Sequence, residues 1–178
     1  MEVEIVRWID QADRAALIPA IDAIFFEASG RTSFADDATR AAFRHRWLGL
    51  YLEIWPEHVH LARAADGALV GYLIGSLVDP ARDARFADIA YFMSFADACA
   101  AYPAHLHINL APPFRGRGIG QRLIAAFATT ARAAGAPGLH IVTSKDARNA
   151  GFYRQCGFAV VAETETAGGT VVFMGWPL

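Results

Sequence analysis

From Val3 to Trp8 apolar and charged residues alternate, a period of two that predicts a strand. The period then lengthens. Leu17, Ile21, Ile24 and Phe25 fall on one helical face, Asp10 and Asp13 stand where caps belong, and Pro19 predicts a kink or a late start. Ser29 to Ser33 reads as a loop, and Asp36-Asp37 opens a second helix with Phe43, Trp47, Tyr51 and Ile54 on one face. Trp55-Pro56 ends it. His58 to Ala64 and Leu69 to Val78 read as strands joined through Asp66-Gly67, a hairpin signal. Residues 80–103 are rich in alanine and aromatics and read as a partly helical insertion. A strand follows from His105 to Ala111. After it Ile119, Leu123, Phe127 and Ala131, spaced by four, predict a helix packed on a sheet and stopped by Gly135. Leu139 to Ser144 is a further strand and Asn149 to Cys156 a short helix. Phe158 to Thr166 and Thr170 to Met174 form a last hairpin around Gly168-Gly169.

A chain of 178 residues that is 54% hydrophobic can bury one good core, so a single domain over 1–178 is expected. The net charge of −2 lacks the basic footprint that nucleic-acid binding leaves. The acidic start Met1-Glu2-Val3-Glu4 is no secretory signal, and the longest apolar stretch, Ala68 to Val78, is too short to span a bilayer. Cys99 and Cys156 stand far apart without metal spacing, which reads as two reduced thiols in a cytoplasmic protein with no metal.

The most specific segment lies between the predicted strand and the long helix: Leu110-Ala111-Pro112-Pro113-Phe114-Arg115-Gly116-Arg117-Gly118-Ile119-Gly120. Backbone N–H groups at the mouth of a helix, freed by glycine to come close, cradle a phosphate-bearing ligand, and Arg115 and Arg117 add positive charge. A P-loop is excluded, because Gly120 is followed by Gln121 and Arg122 rather than Lys and Ser or Thr. A dinucleotide fingerprint is excluded as well. Counted from Gly116 its last glycine would be Gln121, and counted from Gly118 it would be Leu123. What remains is Arg-x-x-Gly-x-Gly at Arg115, Gly118 and Gly120, with Pro112 three residues ahead of the arginine.

This segment resembles the acyl-CoA pyrophosphate loop of the Gcn5-related N-acetyltransferase (GNAT) family. Asn149 to Phe158 resembles the same family's Phe-Tyr-x-x-x-Gly-Phe segment at Phe152, Tyr153, Gly157 and Phe158. The motif evidence covers residues 104–158, and the N-terminal half matches in the order of its elements. The resemblance implies an α/β fold with a central, mostly antiparallel sheet, strands splayed at the acyl-CoA site and helices on both faces. It implies acetyl-CoA, or another short acyl-CoA, as co-substrate. Leu110 and Ala111 would offer backbone groups to the pantetheine arm. Arg115, Gly116, Arg117, Gly118, Ile119 and Gly120 would surround the pyrophosphate. Phe152 and Asn149 would be further cofactor contacts, although many relatives carry an asparagine where this chain has Asp146. Tyr153 occupies the position of the general acid that protonates the leaving thiolate, a transfer between groups of similar pKa. The stretch Tyr102 to Leu110 also resembles the acetyltransferase-like domain found alongside O-GlcNAc hydrolases.

An attacking amine must lose a proton. His105, His107 and Asn109 alternate along one strand and share a face, and histidine titrates in the range of a base, with His107 preferred over His105. A satisfied, half-buried histidine pair competes with that reading. His58, His60 and His140 read as strand-face residues. The acceptor would be a small-molecule amine or a peptide or protein lysine, entering near Ser29 to Asp37 and the 80–103 insertion. Trp47, Tyr51, Phe86, Tyr91 and Phe92 could line its pocket, although core is the readier reading for Trp47. Asp36, Asp37, Asp79, Asp83 and Asp88 could attract a cation, although caps and turns explain most of them. The leading function is amine acylation by direct attack in a ternary complex, by a monomer or a homodimer. A non-catalytic CoA-binding sensor is the rival.

Overall fold

The computed structural model describes residues 2–178. The chain divides into two compact units, one formed by the segment up to Gly75 with His107–Phe127, the other by Ser76–Leu106 with Ala128–Leu178. Seven strands follow the order β1-β2-β3-β4-β5-β7-β6. Strand β4 (Ala104–Leu110) gives its first residues to one unit and the rest to the other.

In the first unit β1 (Val3–Arg7) runs antiparallel to β2 (His60–Ala64), from Val3 opposite Ala64 to Arg7 opposite His60. β2 pairs antiparallel with β3 (Leu69–Ser76) through a register shift between Ala62 and Arg63. Gly67, at φ +85°, permits the tight turn between them. Of the kink or late start expected at Pro19, the late start does not occur: helix α1 (Arg14–Ser29) begins five residues before the proline and runs through it. Burial of Leu17, Ile21, Ile24 and Phe25 outweighs the one backbone bond that the proline removes. Helix α2 (Asp37–Arg44) starts as predicted, with the Asp36 carboxylate accepting the Thr39 N–H at 2.7 Å.

A π-helical turn over His45–Gly49 then leads into α3 (Leu50–Ile54). The wider turn shifts the helical phase, which corrects the predicted apolar face. Leu48 and Tyr51 are buried, Trp47 is half-buried, and Ile54 is left 43% exposed.

Gly71 on β3 marks a close approach to β4. A Cβ there would lie 2.2 Å from Leu110 Cδ2 and 2.9 Å from the Asn109 carbonyl oxygen. Gly71→Ala is therefore expected to lower the Tm by roughly 3–10 °C, because the nearer neighbours include fixed backbone. A thermal melt unchanged from wild type would contradict that crowding.

In the second unit β5 (Gly138–Ser144) pairs antiparallel with β7 (Gly169–Pro177), from Gly138 opposite Pro177 to Ser144 opposite Val171. This pairing extends the last strand beyond the predicted Met174. β6 (Ala159–Thr166) closes the hairpin on β7. The β4–β5 ladder is parallel, with Ala104 opposite Leu139 and His105 opposite His140. The alanine-rich insertion folds as α4 (Ala90–Ser94) and α5 (Ala96–Ala101), anchored by buried Phe86, Phe92, Phe95 and Cys99. Helix α6 (Ile119–Ala133) behaves as its periodicity predicts: Ile119, Leu123, Phe127 and Ala131 are each at most 3% exposed. Helix α7 (Ala150–Gln155) follows β5. Among the described residues no helix is long and apolar enough to cross a membrane.

Candidate active site

The glycine loop lies in the first unit, between β4 and α6. A short 3₁₀ turn, Pro112–Phe114, carries the chain out of the strand. Gly116 and Gly118 then take left-handed conformations, at φ +71° and +76°, that L side chains rarely adopt. The first helical bond runs from the Arg122 N–H back to the carbonyl of Gly118, the residue just before α6. Among the described residues, the N–H groups of Gly116, Arg117, Gly118, Ile119, Gly120 and Gln121 have no hydrogen-bond partner. Six such donors in succession at the positive end of a fifteen-residue helix form an anion site.

Arg115 turns inward at its Nε, which donates to the Leu110 carbonyl at 2.9 Å and ties the loop to the strand. The Arg117 guanidinium lies 5.9 Å from the centroid of Phe114, which is half-buried under the loop. Ala111 is already engaged: its N–H donates to Val70 and its carbonyl accepts from Phe114. Its N–H is thereby removed from the groups expected to bind pantetheine.

On β4, His107 and Asn109 project to one face, and each meets a buried tyrosine. His107 Nε2 lies 3.3 Å from the hydroxyl of Tyr51, which α3 supplies and which is 2% exposed. Trp47 and Tyr51 pack edge-on to the imidazole. Burial, and then the positive charge of Arg46, hold His107 down to about 4, well below the range of an ordinary histidine base. Asn109 Nδ2 donates to the Tyr72 hydroxyl at 2.8 Å. The Tyr72 phenol is pushed up by burial and lies within electrostatic reach of the Asp22–Arg44 ion pair, itself 2.8 Å long. Tyr51 and Trp47 were legible as candidates. Tyr72, Asp22, Arg44 and Arg46 were not, because nothing in the sequence pairs them with a strand far downstream.

His105 belongs to the second unit. It is 3% exposed and packs edge-on to Phe86, with Phe92 and His140 around it. His140 lies against the Phe173 ring and bonds through Nδ1 to the Tyr102 carbonyl.

Tyr153 is buried on α7 with its ring between Phe152 and Phe158. Among the described residues its hydroxyl has no hydrogen-bond partner. Burial first, and the neighbouring Cys156 second, push its pKa up, so the phenol stays protonated. Asn149, before α7, accepts a hydrogen bond from Thr143 at 3.1 Å. Burial and the nearby Asp79 push the Cys99 thiol up to about 12, and burial also raises Cys156. Neither thiol is poised as a nucleophile.

The loop after α1 borders an open groove of about 610 Å³ lined in part by Arg31, Asp36, Asp37 and Arg40. The Arg40 guanidinium lies 3.8 Å from the Phe26 ring centroid, and Arg31 lies 4.9 Å from that of Phe34. Asp36 is spent as a cap. Asp79 and Asp83 hold turns, through Ala81 N–H and Arg85 N–H. Among the described residues no group of three or more His, Cys, Asp or Glu could hold a metal ion.

Strand, glycine loop and helix thus follow one another with the unpartnered N–H groups gathered at the helix mouth. The acetyltransferase (GNAT) family model matches residues 26–158, and the chain belongs to that family. Among solved structures, SsHAT superposes with a TM-score of 0.76 at 22% identity, covering 99% of this chain and 98% of that one. The NatC complex bound to Gag peptide and CoA gives 0.64 at 17%, covering 100% and 99%. A streptothricin acetyltransferase from Bacillus anthracis in complex with acetyl coenzyme A gives 0.51 at 17%, covering 67% and 61%. These likenesses bear on the fold.

Proposed function

We propose that this acetyltransferase moves the acetyl group of acetyl-CoA to a primary amine by direct attack within a ternary complex. One observation carries the reading: the row of N–H groups from Gly116 to Gln121, unpartnered among the described residues, with the guanidinium groups of Arg115 and Arg117 on the same loop. It matches a pyrophosphate in charge and hydrogen-bond polarity. CoA and acetyl coenzyme A in the NatC and streptothricin acetyltransferase structures support that ligand.

In the proposed reaction the neutral amine nitrogen attacks the thioester carbon. The C–N bond forms, the C–S bond breaks with its electron pair on sulfur, and the amine loses the proton that the thiolate gains. Tyr153 donates its O–H to the developing thiolate. Its raised pKa makes stabilisation by the hydrogen bond a larger part of its role than outright proton loss. The high-pKa thiols of Cys99 and Cys156 support direct attack over an acyl-enzyme.

His107, held in its neutral form around pH 7 by a pKa lowered to about 4, takes part as a hydrogen-bonding group or through water. The rate at low amine concentration is therefore expected to rise with pH along the amine's own ionisation. No inflection should fall near pH 6–7, where an unperturbed histidine would titrate. A step in that interval, lost in His107→Gln, would restore histidine as the base.

The reading is tested with acetyl-CoA and six acceptors: spermidine, tryptamine, glucosamine, kanamycin, a lysine peptide and a peptide with a free α-amine. Free-thiol release above the amine-free blank with at least one of them is expected. Tight acetyl-CoA binding with no amine-dependent release would favour the sensor reading.

A further inference from the structure

Two alternate residues on β4, His107 and Asn109, each end on the hydroxyl of an almost wholly buried tyrosine. Tyr51 reaches His107 from a helix and Tyr72 reaches Asn109 from the neighbouring strand. We propose that Asn109 contacts the acceptor amine and orients it for attack, and that Tyr72 is the positioning residue that fixes the Asn109 amide. The proposal rests on the acetyltransferase reading above and adds to it the group that receives the acceptor.

Tyr72 is 0% exposed, in a strand whose other buried side chains are Val70, Leu73, Ile74 and the small hydroxyl of Ser76. A phenylalanine would fill that space without bringing a polar hydroxyl into the core. The hydroxyl instead takes the Asn109 Nδ2 hydrogen at 2.8 Å. With the amide nitrogen turned to Tyr72, Oδ1 is the end of Asn109 left to accept another hydrogen, and the side chain is only half-buried.

Gly71 makes this geometry possible. Any side chain there would collide with Leu110 and the Asn109 carbonyl, so glycine lets β4 approach β3 beside Tyr72. The Asp22–Arg44 pair adds charge of both signs near the Tyr72 hydroxyl. The surroundings of Asn109 are therefore fixed before any ligand arrives.

A carbonyl oxygen suits the chemistry of attack. The amine nitrogen becomes positive as it bonds to the thioester carbon, and an oxygen that accepts one of its N–H groups stabilises that charge. Asn109 takes no proton. His107, two residues away on the same face, offers an imidazole as the second polar group, so the acceptor meets a two-point floor built on one strand.

The test uses whichever of the six acceptors turns over fastest, with Asn109→Ala, Asn109→Asp and Tyr72→Phe. Asn109→Ala and Tyr72→Phe are each expected to lower kcat/KM for the amine by about tenfold or more, with the KM for acetyl-CoA within roughly twofold of wild type. Asn109→Asp keeps an accepting oxygen and should recover most of the Asn109→Ala loss. Melting temperatures read alongside show whether the variants remain folded. Unchanged amine kinetics in Asn109→Ala would overturn the proposal, as would a parallel loss of acetyl-CoA affinity or a failure of Asn109→Asp to recover. Unchanged kinetics in Tyr72→Phe would remove the positioning role. If the wild-type protein acetylates none of the six acceptors while still binding acetyl-CoA, the transferase reading falls first and this inference with it.

Discussion

Gly118→Val should cost more than a hundredfold in acetyl-CoA affinity while leaving most of the protein folded. Gly118 sits at φ +76°, and a Cβ there would meet only the far end of Gln121, at 4.0 Å. The obstacle is thus the backbone conformation rather than crowding. A β-branched residue at that φ is strained by about 1–3 kcal/mol, and the chain relieves the strain by rotating the adjoining peptide units. Rotation takes N–H groups out of the row from Gly116 to Gln121. Losing two hydrogen bonds to a charged pyrophosphate, at about 1.5–3 kcal/mol each, amounts to at least a hundredfold in affinity. Helix α6 survives because Leu123, Phe127 and Ala131 stay buried. Calorimetric titration of acetyl-CoA measures the change, and retained affinity would remove the loop from the ligand site.

Tyr153→Phe should separate chemistry from binding. It removes a single hydroxyl from a ring held between Phe152 and Phe158, so acetyl-CoA affinity is expected to stay within roughly threefold. Turnover is expected to fall by about a hundredfold or more, the range for loss of a positioned acid. Stability should not fall, because among the described residues the hydroxyl has no protein partner to lose and the ring contacts are kept. A variant as stable as wild type and much slower would mark a group retained for chemistry. Undiminished turnover would end the acid role.

Local signals carried much of the fold. The spacing of Ile119, Leu123, Phe127 and Ala131 predicted a helix and its buried face, and Asp66-Gly67 predicted a hairpin. Glycine spacing by itself separated the anion loop from nucleotide-binding loops. What escaped was non-local. The π turn at His45–Gly49 rephased an otherwise regular helix, and no residue type announces it. Pro19 pointed to a kink or a late start in a helix that instead begins at Arg14 and that tertiary burial holds.

The same limit applies to the chemistry. Histidine identity suggested a base near neutrality, yet burial and Arg46, sixty-one residues upstream, move His107 to about 4. The Tyr72–Asn109 bond spans 37 residues, and no pattern along the chain links its ends. His105 and His107 look like a pair in the sequence. Phe86, Phe92 and His140 pack against the first, and Trp47 and Tyr51 against the second.

The most direct measurement follows acetyl-CoA, a turned-over amine and the protein together in a single turnover, with mass spectrometry of all three. Direct transfer predicts CoA thiol and N-acetylated amine in equal amounts, at the same rate, with no acetyl group on the protein at any time. Thiol release without acetylated amine, or an acetyl group that appears on Cys99 or Cys156 before the product, would contradict it.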